Sequence, residues 1–307
     1  MKLFKKNKEK DEEEQASSMV EHFGPADYVV NVIVIVLCGI VAFCSVVPLW
    51  HVLMSSFSDG KTLLTHEGMV WWPVGGFTLD GYKHIFQNVE IIRGYINTII
   101  YTITATALGW FISITAAYAM SRETKMQKFL ILFVMIPMLF GGGMLPTYMV
   151  IRSLGWVGTP MALIVPGCTN TMFVIMMMNA MKEVPKEMYE AARIDGASHI
   201  QTLIKIYIPL VRNMSSVIIL NSVLGQWNAW LQASIYVPNN REYWPLQLFV
   251  KELTSNNENF LQASNVDYSR YLIQYAVIIA TSLPIILAFP FFQKKLEKAA
   301  ISGGVKQ

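Results

Sequence analysis

The chain has 307 residues, of which 53% are hydrophobic and only 15% charged, with a formal net charge of +3. A soluble chain of this size carries about 25% charged residues, so the deficit places this one in a membrane. A balance of +3 over the whole length makes no basic stripe for nucleic acid, and Cys38, Cys44 and Cys168 all lie in apolar runs, which implies no disulfide framework.

Residues 1–27 are mostly polar, run from Lys2 and Lys10 into the acidic block Asp11–Glu14, and read as a solvated tail. Six apolar runs follow, at about 28–52, 95–120, 129–151, 160–181, 213–237 and 271–293, each close to the ~20 residues that cross a bilayer as a helix. None contains Asp, Glu, Lys or Arg. The expected fold is an all-α membrane protein with six transmembrane helices over 28–293, an N-terminal tail over 1–27 and a C-terminal tail over 294–307. The first run is longer than a signal-peptide core and lacks a small-x-small cleavage site, so a retained anchor is expected. Phe43, just before Cys44, argues against a lipidated cysteine.

Beyond the first run, Asp59-Gly60-Lys61-Thr62 has the ending of a phosphate-binding loop. Ser55 stands where that loop needs its first glycine, so nucleotide binding by this chain is not expected. Lys and Arg number five in 1–27, three in 121–128, five in 182–212 and four in 294–307, against three, one and three in the remaining loops. Positive-inside bias puts both termini and the loops 121–128 and 182–212 in the cytoplasm, and residues 53–94 and 238–270 outside. Trp71, Trp72 and Trp244 in the outer segments suit a membrane interface.

Ion-coupled carriers keep ionisable groups at membrane depth. The six runs have none, so the driving energy is expected from elsewhere. Their polar residues include Asn97, Thr102, Thr104, Thr106 and Ser113 in the second, Thr169, Asn170 and Thr171 in the fourth, and Asn221, Gln226 and Asn228 in the fifth. Interhelical hydrogen bonding is the better reading of the threonines. Asn170, Asn221, Gln226 and Asn228, with Trp227 among them, fit a water-accessible path for an uncharged, hydroxyl-rich solute equally well. Pro137, Gly141–Gly143 and Pro166 read as ordinary kinks.

The loop 182–212 has structure of its own. Pro185 suits a first helical turn, Lys186–Ile194 are good helix formers, and Gly196 stands where a left-handed cap stops the helix. Ser198 and Gln201 form a capping-box pattern, after which Ile200, Leu203, Ile204 and Tyr207 make one apolar stripe, ended by Pro209. A helix-turn-helix elbow is expected, and from the residues alone a docking surface and a connector lying on the bundle are equally good readings.

Glu190-Ala191-Ala192, three residues, Gly196, nine residues, Ile206, one residue and Ile208-Pro209 resemble the Glu-Ala-Ala loop of binding-protein-dependent ABC importer permeases. Ile208 stands where that family more often has Leu. Phe77–Tyr82, Arg193–Ser198, Gln226-Trp227-Asn228 and Ile301–Lys306 are similar to the carbohydrate branch, that of the maltose permease's second subunit and the lipoprotein-cluster permeases. The resemblance covers about residues 30–307.

It implies a type I importer permease, a non-enzymatic subunit of a bacterial cell membrane. Glu190, Ala191, Ala192, Asp195 and Gly196 would couple it to an ATPase dimer, with Ile206 and Pro209 holding the second elbow helix on the bundle. It further implies that ATP and Mg bind the ATPase and that this chain holds no cofactor. A second homologous permease, in a heterodimer, and an extracytoplasmic solute-binding protein complete the expected assembly. The solute would be a sugar or oligosaccharide. An ABC permease for another solute, and an ATP-independent carrier or channel, are the alternatives.

Overall fold

The computed structural model describes the backbone of residues 25–255 and 268–304, and within these the side chains of 28–255 and 272–293. The acidic tail and part of the segment 238–270 lie outside the described residues. The described chain is helical with no strand, and it divides into two compact units, Met1–Val52 and Leu53–Gln307.

The described part of the first unit is residues 25–52 of α1 (Pro25–Ser56), a helix apolar all round, whose side chains from Tyr28 to Leu49 are largely exposed. A helix of that kind is stable where lipid covers it. In the second unit, Asp59 caps α2 (Gly60–Thr65), its carboxylate accepting from the Thr62 amide at 3.1 Å and hydroxyl at 2.8 Å. The apparent phosphate-loop ending is thus a helix start. The helix α3 (Asp80–Gln87) follows.

The long helix α4 (Val89–Ser121) begins at Asn88, whose side chain accepts from the Glu90 and Ile91 amides. Ala105, Gly109, Ser113 and Ala117 recur every four residues and are all buried. Small residues at that spacing let neighbouring backbones approach. Accordingly α4 packs against α7 (Met161–Cys168), α8 (Thr171–Lys182), α11 (Arg212–Trp227) and α13 (Leu246–Ser255). Gly109 is the tightest point, where a Cβ would lie 2.1 Å from the Cys168 carbonyl oxygen.

Three expected spans differ in detail. The run 129–151 is two helices, α5 (Gln127–Leu139) and α6 (Met144–Ser153), bent by 113° at the three glycines, with Gly143 at φ +79°. This is a break rather than a kink, because successive glycines remove both the helix preference and the Cβ that restricts the backbone. The run 160–181 is interrupted at Thr169–Asn170 between α7 and α8, where Asn170 caps α8 by accepting from the Met172 amide at 2.9 Å. The run 213–237 stops being one helix at Trp227, and α12 (Leu231–Tyr236) follows after a turn. The last helix, α14 (Tyr268–Gly304), continues well past residue 293, so most of the expected tail is helical. Among the described residues, four helical stretches, with 161–182 taken as one, are long and apolar enough to cross a membrane, or up to six if each bent pair is one span.

Three buried clusters hold the second unit together. Ile114, Tyr118, Met177, Met181, Tyr207 and Ile218 join α4 and α8 to the elbow and α11. Tyr101, Leu163, Tyr236, Trp244 and Phe249 pack at the opposite end, and Ile85, Ile91, Trp227, Leu246 and Ala276 tie α3, α4, α11 and α14.

Candidate functional site

Two features carry the functional residues, an elbow at one end of α4 and a cavity nearer the other. The elbow consists of α9 (Lys186–Ile194) and α10 (His199–Leu210). Pro185 is the residue before α9 rather than its first, and Glu187 and Arg193 stand at the helix ends that suit their charges. Gly196 has φ +77°, and the Ala197 amide reaches back to the Ala192 carbonyl at 2.9 Å. That six-to-one bond marks a Schellman cap, which a residue with a side chain would strain.

Ser198 then opens α10 with both bonds of the capping box, the Gln201 amide donating to Ser198 Oγ and the Ser198 amide to Gln201 Oε1. Residues Leu203–Tyr207 form a π turn just before Pro209. In a regular helix the proline ring would clash with the carbonyl four residues back, and the wider turn relieves that contact.

The expected coupling residues are not equivalent in space. Ala192 is buried and Ile206 half-buried, whereas Glu190, Ala191, Asp195, Gly196 and Pro209 are exposed. Ala191, Asp195, Gly196 and Ile206 line a hollow of about 800 Å³ between the two elbow helices. Glu190 instead faces a second hollow, of about 500 Å³, shared with Arg122, Glu123, Lys186, Tyr189 and Tyr207. Lys186 Nζ lies 2.5 Å from Glu123 Oε1 there, which raises the lysine pKa and lowers that of the carboxyl.

Of the two residues expected to hold α10 on the bundle, Ile206 packs against the first buried cluster and Pro209 is exposed, while Tyr207 and Val211 lie within that cluster. The expected apolar stripe has two destinations: Tyr207 is buried, while Ile200 is 70% and Ile204 56% exposed. With Ile194 at 86%, they leave the elbow tip apolar.

The cavity is about 410 Å³, and among the described residues none that lines it is charged. Asn170, Asn221 and Gln226 line it, joined by Thr98, Tyr101, Thr169, Ser222, Gln232 and Tyr236. Gln226 Nε2 donates to the Gly167 carbonyl at 2.6 Å and Asn221 Nδ2 to that of Val217 at 2.9 Å. Both amide oxygens are left to accept bonds. Trp227 is absent from the lining, since it is buried against α14 with Nε1 donating to the Thr281 carbonyl at 3.0 Å. Asn228 is also outside it and donates to Leu224 at 2.9 Å.

Above the cavity, Asn97 donates to the Glu242 and Trp244 carbonyls at 2.7 and 3.1 Å, Thr98 Oγ1 accepts from the Leu246 amide at 2.8 Å, and Tyr101 donates to the Tyr243 carbonyl at 3.2 Å. Arg241 there is bidentate to Glu252 at 2.8 and 2.9 Å, bonds Glu90 as well, and lies 4.6 Å from the Trp244 ring centre. In sequence, Arg241 is one of three basic residues in the segment 238–270. Gln232 and Tyr236 were readable as polar groups late in the fifth run but had no marker.

Residues 111–302 match the family described as binding-protein-dependent transport system inner membrane component. Protein LplC of Bacillus subtilis is 32% identical, over 93% of this chain and 97% of the relative. The polygalacturonan/rhamnogalacturonan transport system permease protein YtcP of the same organism is 30% identical, over 86% and 94%. A crystal structure of a bacterial ABC transporter involved in the import of the acidic polysaccharide alginate includes a chain that superposes with a TM-score of 0.79 at 25% identity, over 90% of this chain and 100% of that one.

Proposed function

The chain belongs to the family of binding-protein-dependent transport system inner membrane components and is a membrane-embedded importer permease, and from that premise we propose that it forms half of the path for a sugar or oligosaccharide. In this reading a solute-binding protein outside the bacterial cell membrane delivers the solute. A second, homologous permease completes the path, and a separate ATPase dimer seats on the elbow. ATP and Mg belong to that ATPase.

The observation that carries the reading is the elbow. Two short helices joined by a Schellman cap and a capping box make a rigid corner with an apolar tip, Ile194 and Ile200, and an exposed Glu190. Such a corner transmits displacement where a flexible loop would absorb it. The cavity, where amides and hydroxyls stand among apolar side chains with no charge among the described lining residues, supports a solute with many hydroxyls. A relative named for polygalacturonan/rhamnogalacturonan transport and a similar structure from an alginate importer support a carbohydrate, and an acidic one would draw its counter-charge from the partner permease.

The test is reconstitution of the four-component complex in proteoliposomes. Glu190→Lys and Gly196→Pro should abolish co-purification of the ATPase while the chain stays in the membrane. Gln226→Leu should leave ATPase association intact and lower uptake. Uptake by this chain alone without ATP would refute the assignment.

A further inference from the structure

We propose that Arg122 is a transmission residue that fastens the elbow to the end of α4, so that displacement of α9 and α10 moves α4 as a rod. The inference rests on the importer reading above.

Arg122 is the first residue after α4. Its guanidinium donates to the Tyr189 hydroxyl on α9 and meets His199 Nδ1 on α10 at 3.0 Å. The same group lies 4.6 Å from the ring centre of Tyr189 and 5.5 Å from that of Tyr118, one turn back on α4. One side chain therefore touches both elbow helices and the last turn of the rod. Only a planar, multi-donor, stacking cation can do this, and lysine offers a single point charge.

Two further contacts join the same elements. Tyr118 and Tyr207 pack edge to face at 5.2 Å. The Lys186–Glu123 pair is exposed by 73% and 76%, so it adds little.

The rod has somewhere to deliver a displacement. With 33 residues, α4 is about 50 Å long. It passes the 168–170 break at Gly109 with no space for a Cβ, lines the cavity through Thr98 and Tyr101, and bonds the 242–246 backbone beyond it. A shift at Arg122 thus reaches the break, the cavity and the far surface through one continuous helix. In sequence, Arg122 is merely one of three cations in a loop.

The experiment compares wild type, Arg122→Ala, Arg122→Lys and Tyr189→Phe in the reconstituted complex with its second permease, ATPase and binding protein. Three quantities are read: ATPase co-purification, ATP hydrolysis and solute taken up. Arg122→Ala should still co-purify with the ATPase but move about 2- to 30-fold less solute per ATP, the span of coupling effects between linked sites. Arg122→Lys should recover only part of that ratio, and Tyr189→Phe should fall between. An unchanged ratio overturns the proposal, as does a loss of co-purification in step with uptake, which would mark a merely structural role. A wild-type chain that never co-purifies with an ATPase refutes the importer reading instead.

Discussion

Replacing Gly109 by alanine tests the central packing of the permease. The added Cβ would sit 2.1 Å from the Cys168 carbonyl oxygen, whereas ordinary contact begins near 3.4 Å, so α4 and the α7–α8 break must part by about 1.3 Å. Overpacking of that kind costs about 1–3 kcal/mol. The nearby Gln226–Gly167 hydrogen bond, at 2.6 Å, does not survive such a movement, and its loss costs about 0.5–1.5 kcal/mol more. Alanine recovers about 1 kcal/mol of helix propensity. The clash wins, leaving a net loss of about 0.5–3.5 kcal/mol.

Gly39→Ala, whose Cβ meets nothing within 4 Å, is the control and should melt no lower than the parent. The assay is thermal unfolding of the detergent-purified chain, together with maleimide labelling of Cys168 in a Cys38→Ser/Cys44→Ser background. Cys168 is only 5% exposed, and it should become reactive as the break opens. If Gly109→Ala melts with the parent and Cys168 stays protected, the close approach is not what holds this region and the reasoning fails.

Acidification should weaken the elbow. Arg122 beside the ring, then burial, then Arg193 hold the His199 imidazole below its ordinary value of 6.5. A base whose folded pKa is depressed stabilises the fold fully above the unfolded value, and that contribution is lost as pH falls through the folded one. Melting temperature should therefore drop from pH 7 downward more steeply in wild type than in His199→Asn, and parallel curves would contradict the contact. At the far surface, Arg241→Gln removes the tie between Glu90 and Glu252. Because the arginine side chain is 45% exposed, the loss should be only about 1 kcal/mol, read as faster amide exchange across 241–255. High salt should reproduce only part of it, since the stacking on Trp244 is not a salt-screened contact.

The elbow was legible residue by residue. Gly196 and the Ser198–Gln201 box each act within a few positions, so their geometry follows from local chemistry. The small-residue ladder on α4 drew no reading from the sequence, because its spacing does not say which helix it admits. Hydropathy concealed the breaks at 140–143 and 169–170, because an apolar run reads the same whether or not its backbone turns. It likewise could not separate Gln226, in the cavity, from Trp227, in the core, since one residue of helix rotates a side chain by about 100°.

Composition and charge placement were enough to put the chain in a membrane and leave its apolar runs without ionisable groups, and the caps at Gly196 and Ser198 set an elbow between the fourth and fifth. Those are properties of a residue and its near neighbours, which the linear order states outright. Contacts across long loops decided the rest. Asn170, Asn221 and Gln226 share a cavity, Glu190 and Gly196 face different hollows, and Arg122 meets Tyr189 and His199 from more than 60 positions away. Each depends on how helices pack, and packing follows from shape complementarity over many residues at once rather than from any pattern along the chain.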